Sequence, residues 1–130
     1  MRKTAKERLA EREARARSEL LDGLFEAWIG GADKAATLAR LGPVDPLDPA
    51  AVARALRADI LPAFADLTRE TQTRIRAAMT VLAHGDREEF RVYWQELRAP
   101  FGVSEADADA IFPVVARLLG VRLPETATDS

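Results

Sequence analysis

The fold class follows from residues 4–29, which read TAKERLAEREARARSELLDGLFEAWI. The first part of this stretch is rich in Arg, Lys and Glu, and Leu9 is its single large apolar side chain as far as Arg17. From Leu20 to Ile29, six of ten side chains are large and apolar. One helix is therefore expected to begin as a charged, solvated segment and to end inside a hydrophobic core.

The rest of the chain also predicts helices, because Ala, Leu, Arg and Glu dominate and no alternating strand pattern occurs. Gly30-Gly31 is expected to end the first helix, and a short second helix covers 33–41. Asp48-Pro49 opens a third as N-cap and first-turn proline.

Prolines, glycines and helix-capping residues also mark helix boundaries in the second half of the chain. Pro62 is expected to kink or restart the third helix, and the next one is expected to show an irregularity near 68–73. Asp86 and Glu89 form a capping-box-like pair before the aromatic stripe of the following helix. Ser104 caps the last helix and Gly120 ends it.

These patterns predict an all-α protein: a compact bundle of five to six helices with a long, partly projecting N-terminal helix. We divide it into a charged N-terminal helical arm (residues 1–19, "the arm"), a helical bundle domain (20–122) and a flexible tail (123–130). The eight aromatic side chains occur mainly at helical spacing, which predicts that they form the core.

Composition narrows the class of protein. The chain has no cysteine, which excludes disulfides, thiolate catalysis and Cys-ligated metals. The net charge of −2 gives no global attraction to nucleic acid or anionic lipid. Arg outnumbers Lys sixteen to three, a bias typical of a GC-rich bacterial genome. We expect a cytoplasmic protein without a membrane span.

Charge is unevenly distributed along the chain. Through Asp22 there are seven basic and five acidic residues, whereas from Gly23 onward there are twelve basic and sixteen acidic residues. The N-terminal part is therefore slightly basic and the remainder acidic.

No constellation in the sequence indicates catalysis or metal binding. His84 is the single histidine and precedes Gly85, where an imidazolium stabilises a helix C-terminus; an axial ligand or general base is the alternative. Glu105, Asp107 and Asp109 do not fit a calcium loop and are better explained by the helix start. We expect no enzymatic activity and no cofactor, although a ligand pocket between helices stays open.

The arm carries the candidate contact residues. At about 100° per residue, Arg8, Arg12 and Arg15 follow one stripe, opposite the apolar side that continues into the core. Glu11–Arg15 and Glu13–Arg17 are expected to form i,i+4 ion pairs. We take Arg8, Arg12, Arg15, Arg17 and Glu11 as the partner-binding set.

Two functions fit such an arm. In the first, it contacts another protein or a second copy of the chain, which makes the protein an adaptor, regulator or assembly subunit. In the second, it follows a phosphate backbone of nucleic acid. Glu7, Glu11 and Glu13 occur among the basic residues and reduce the charge that phosphate binding requires. Protein–protein contact is therefore the favoured hypothesis.

Overall fold

A computed structural model describes residues 4–29, 34–85, 87–97, 101 and 104–124. The prediction of an all-α protein is confirmed over these ranges. Their seven helices are α1 (Ala5–Leu24), α2 (Glu26–Ile29), α3 (Lys34–Leu41), α4 (Pro49–Ala65), α5 (Arg69–His84), α6 (Arg87–Leu97) and α7 (Glu105–Leu118).

The predicted count of five to six helices is too low for the described residues, because the first predicted helix is interrupted. Phe25 leaves the helical conformation (φ −93°, ψ 12°), and the Trp28 N–H donates to the Phe25 carbonyl oxygen at 2.9 Å. This turn stacks the two rings, whose centroids are 5.7 Å apart. Ring packing thus accompanies the break, while Gly30-Gly31, the predicted stop, lies outside the described residues.

Two helix starts show capping chemistry. Asp48 accepts a hydrogen bond from the Ala50 N–H at 3.1 Å and caps α4 as predicted. Thr68 accepts one from the Thr71 N–H at 3.1 Å and caps α5. The irregularity predicted near 68–73 lies slightly earlier, at residues 66–68 between α4 and α5, and residues 69–73 are regular helix.

Prolines inside the helices do not end them. α4 continues past Pro62 and α7 past Pro113, so the predicted restart at Pro62 does not occur. The end of α7 follows the prediction, because Gly120 adopts a positive φ of 80°. The Val121 N–H then donates to the Ala116 carbonyl oxygen at 2.8 Å, the closing bond that glycine in this conformation permits.

One hydrophobic cluster runs through the described residues and contains all eight aromatic side chains. Phe90 packs against Trp94 and Phe112, with ring centroids 5.7 and 4.9 Å away. The buried Trp28 indole donates to the Asp59 carboxylate at 2.8 Å, which satisfies its N–H. The prediction that the aromatic residues form the core is confirmed.

The helix contacts place α1 at one side of the core. α4 and α6 both pack on α7, and α1 packs on α5. The Arg76 guanidinium of α5 donates to the Leu119 carbonyl oxygen at 2.8 Å and joins α5 to the end of α7. Leu21 and Leu24 are the buried residues of α1, so α1 enters the core through its C-terminal end.

Candidate contact surface on helix α1

The first half of α1 is exposed throughout. Every residue from Thr4 to Glu13 is exposed, and Ala14 is the first that is partly buried. Thr4 and Glu7 form a capping box in which the Glu7 N–H donates to Thr4 Oγ1 at 3.0 Å. The described part of the arm is thus a capped helix whose first ten described residues, Thr4 to Glu13, are exposed.

Four of the five predicted contact residues lie together. Arg8, Arg12 and Arg15 are exposed, and with Glu11 they border one shallow depression of the surface. Leu24, on the other side of the helix, is buried in the core. Arg8, Arg12 and Arg15 therefore lie on one side of α1, as helical period predicts.

Helical period brings three arginines of the arm and Leu9 into one sector, which Glu11 adjoins and Glu19 also enters. Glu7, Glu11 and Glu13 lie outside this sector, which is about 120° wide. We call this sector the basic–apolar face, and over residues 5–16 it contains Ala5, Arg8, Leu9, Arg12, Arg15 and Ala16. The Leu9 side chain within it is 51% exposed. Positive charge and exposed apolar area therefore coincide on one side of the arm.

Arg17, the fifth predicted contact residue, is used within the chain. Its Nε and Nη2 donate to the two carboxylate oxygens of Glu89, each at 2.7 Å, and its side chain is only 19% exposed. The hydrogen bond to Glu89 raises the pKa of Arg17 above its ordinary value, and the predicted partner Glu13 adds a smaller attraction. Arg17 therefore attaches the arm to α6 instead of extending the basic–apolar face.

The same ion pair involves a residue that was predicted to help cap α6. Glu89 directs both carboxylate oxygens to Arg17, while Asp86, the other member of the predicted capping pair, lies outside the described residues. The two partners are 72 positions apart. No local sequence pattern connects them, which is why the sequence assigned each of them a neighbour instead.

A second contact fixes the direction of α1 relative to α6. The Tyr93 hydroxyl donates to Asp22 Oδ1 at 3.1 Å, about one turn beyond the Arg17–Glu89 pair on both helices. Burial, followed by the negative charge of Asp22, raises the pKa of Tyr93 above its ordinary value. The two contacts show that α1 and α6 lie side by side and run in the same direction.

The other candidate residues lie in structural positions. His84 is the exposed last residue of α5, as predicted. The Asp107 carboxylate accepts from the Ser104 N–H at 3.2 Å and completes a capping box at α7, while Asp109 accepts from Arg91 Nε at 2.8 Å. The described residues contain no group of three or more metal-ligating side chains placed to hold an ion.

Sequence reasoning missed a surface on α6. Glu88, Val92 and Glu96 follow one another at a spacing of four residues, which places them on one side of the helix. All three are exposed, and Val92 is 43% exposed; Arg91 lies beside Glu88, with an N–O distance of 3.4 Å. We call these three residues the acidic–apolar face. The spacing itself was a signal that was available in the sequence.

A groove between α4 and α7 was also missed. It measures about 380 Å³, and Ala53 and Leu118 form part of its wall beside Arg57 and Arg117. Because it arises from the packing of two helices that are distant in sequence, no local pattern indicates it.

None of the helices in the described ranges combines the length and the apolar character required to cross a bilayer. No protein-family model, curated protein or solved structure matches the chain. The geometry of the arm and of the surfaces around it is therefore the basis for inferring a function.

Proposed function

We propose that this chain is a non-catalytic bacterial cytoplasmic protein that acts through protein–protein contacts, as an adaptor, regulator or assembly subunit. The arm is its contact element, and the bundle holds the arm in place. The observation that carries the proposal is the basic–apolar face, where Leu9 is 51% exposed among three exposed arginines.

The attachment of the arm supports this role. Arg17–Glu89 and Asp22–Tyr93 hold the buried half of α1 against α6. Because both helices run in the same direction, residues before Arg17 extend past the first turn of α6. Ten exposed residues at about 1.5 Å each make a projection of about 15 Å. In this proposal, the projection presents the basic–apolar face to a partner.

The low stability of an isolated helix also supports a role for the arm in binding a partner. An exposed i,i+4 ion pair contributes only about 0.2–0.5 kcal/mol, and a helical segment of this length is marginal in water without tertiary support. Thr4 and Glu7 cap the arm, yet every residue from Thr4 to Glu13 is exposed. A partner that covers the basic–apolar face would supply tertiary support.

The alternative is a nucleic-acid-associated protein that places the Arg-rich helix on phosphates. One observation favours it: Arg8, Arg12 and Arg15 share a sector of the helix that Glu7 and Glu13 do not enter. However, Leu9 shares the sector with these arginines, and a phosphate backbone offers no apolar surface to cover it. A protein surface with carboxylates and apolar side chains satisfies both features, so we favour protein contact.

The test compares the wild-type chain with a triple variant, Arg8→Ser, Arg12→Ser and Arg15→Ser. The matched control is Arg54→Ser, Arg57→Ser and Arg117→Ser, which removes the same charge from exposed positions of the bundle. Each chain is immobilised on a resin and incubated with extract of the native host, and the captured proteins are quantified by mass spectrometry. Wild type and control should capture the same partner, while the arm variant should lose about tenfold or more of it.

Equal capture by all three chains would contradict the proposal. A parallel titration with mixed DNA and RNA at about 50 mM salt tests the alternative, because phosphate contacts are strongest at low salt. Nucleic-acid binding that the arm variant loses, without any protein capture, would replace the proposal with the alternative. Circular dichroism confirms that both triple variants keep their helices.

A further inference from the structure

We infer that the partner of the arm is a second copy of this chain, and that the basic–apolar face of one copy docks on the acidic–apolar face of α6 in the other. This inference rests on the proposed function, since it assumes that the arm is a contact element. It adds the identity of the partner and the place where the arm binds.

The two faces are complementary in chemistry. On the arm, an exposed Leu9 has Arg12 beside it at a spacing of three residues, and Arg8 lies at the other side of the same face. On α6, an exposed Val92 lies between Glu88 and Glu96, one turn away on either side. Contact between the two apolar side chains brings carboxylates and guanidinium groups of opposite charge to the same rim.

The charge distribution of the whole chain also favours contact between the arm of one copy and the bundle of another. Residues through Asp22 include seven basic and five acidic side chains, whereas the remainder has twelve basic and sixteen acidic. The arm of one copy is therefore attracted to the bundle of another. Pairing of two arms through their basic–apolar faces would instead bring the arginine stripes of both copies together. Like charges at that distance oppose such a pairing.

The arm cannot reach the acidic–apolar face of its own chain. Arg17 is bound to Glu89 in the first turn of α6, and α1 continues from there as one helix. Leu9 therefore lies about 12 Å from Arg17 along the helix axis, while Val92 lies in the opposite direction along α6. Docking of the two faces takes place between copies.

Each copy carries both faces, so the contact can form twice about a twofold axis. Such an arrangement is isologous and closes at two copies. The two arms are then exchanged between protomers, and two small contacts together make an interface that one arm alone does not provide. We therefore expect an arm-exchanged dimer.

The absence of cysteine from the sequence makes a clean cross-linking test. Two single variants, Leu9→Cys and Val92→Cys, are mixed under mild oxidation, so that a disulfide between the two positions joins different copies. Leu38→Cys and Leu47→Cys, at positions that are 57% and 60% exposed, serve as matched controls for collision. The 9–92 cross-link should form about tenfold faster than a cross-link between either variant and a control.

Equal rates for the 9–92 pair and the controls would overturn the inference. A dominant cross-link between two copies of Leu9→Cys would also overturn it, because it indicates that the arms pair with each other.

A charge exchange tests the same contact without cysteine. Arg12→Glu and Glu96→Arg should each weaken dimerisation about tenfold in sedimentation equilibrium. A double variant that carries both changes in one chain should recover the dimerisation affinity of wild type. Failure of the double variant to recover would overturn the assigned docking site.

The two proposals fail in different ways. A wild-type chain that stays monomeric and forms no 9–92 cross-link overturns the self-association, even where the Arg8, Arg12 and Arg15 variant still loses a different captured protein. If that triple variant keeps both its self-association and its captured proteins, the proposed function is overturned as well.

Discussion

Every side chain from Thr4 to Glu13 is exposed, whereas Phe90, Trp94 and Phe112 in the core are at most 1% exposed. The core is held by burial and ring packing, while the arm has a capping box and surface charge. Both regions nevertheless consist of helix-favouring residues with a periodic pattern. Helical period therefore identifies a face of a helix, but only tertiary contacts decide whether that face packs in the core or is available to a partner.

The largest expected difference between the two regions is in stability. Phe90→Ala should lower the free energy of unfolding by about 3–5 kcal/mol, because it removes a buried ring and leaves a cavity. Leu9→Ala on the arm should change it by less than about 0.5 kcal/mol. Urea denaturation measures both variants. Similar losses for the two variants would mean that the arm and the core contribute alike to the fold.

The second prediction concerns the contact that joins α1 to the core. The pKa of Tyr93 is raised in the folded state by its burial and by Asp22. Below about pH 10 the tyrosine is neutral in both states, and above it the unfolded state ionises first. The free energy of unfolding should therefore fall by up to about 1.4 kcal/mol per pH unit above pH 10.

Tyr93 is the single tyrosine of the chain, so its ionisation can be followed by ultraviolet absorbance in the same samples. Tyr93→Phe is the control and should remove this part of the pH dependence, leaving the contribution of the lysines. A folded protein whose tyrosine ionises near pH 10 would show that the hydroxyl is open to water.

The third prediction concerns the attachment of the arm. Arg17→Ala should lower the free energy of unfolding by about 0.5–1 kcal/mol, because the ion pair with Glu89 is bidentate but partly screened by solvent. A double-mutant cycle with Glu89→Ala measures the coupling between the two side chains. Strictly additive losses would indicate that the pair does not hold α1 to α6.

The smallest expected effect on stability belongs to the outer arm. Arg8→Ser, Arg12→Ser and Arg15→Ser together should leave the free energy of unfolding within about 0.5 kcal/mol of wild type. The same variant should lose binding to its partner. A clear loss of stability in this variant would mean that these arginines support their own bundle.

Much of the fold could be predicted because the relevant interactions are local. Asp48, Ser104 and Gly120 mark helix ends through contacts with residues a few positions away, and the structure confirms each of them. The break at Phe25 was not predicted, since its partners Trp28 and Trp94 pack there only in the assembled core.

The candidate surface was predicted to a similar extent. The stripe of Arg8, Arg12 and Arg15 follows from helical period alone, and so does the burial of Leu24 on the other side. Arg17 was assigned to the same set as a further basic residue of the arm, although the same helical period places it about 180° from Arg8, on the side of Leu24. The carboxylate of Glu89 that binds Arg17 belongs to a helix 72 positions away, and no spacing rule anticipates such a pair.

Hydrogen exchange measured over a range of protein concentrations reports on the arm and the core in one experiment. Backbone amides of residues 8–13 should exchange rapidly in dilute protein and become protected when the partner binds, while those of 75–82 should stay protected throughout. Amides of residues 8–13 that are as protected as the core at the highest dilution would contradict this expectation, because the arm would then be stabilised by its own chain.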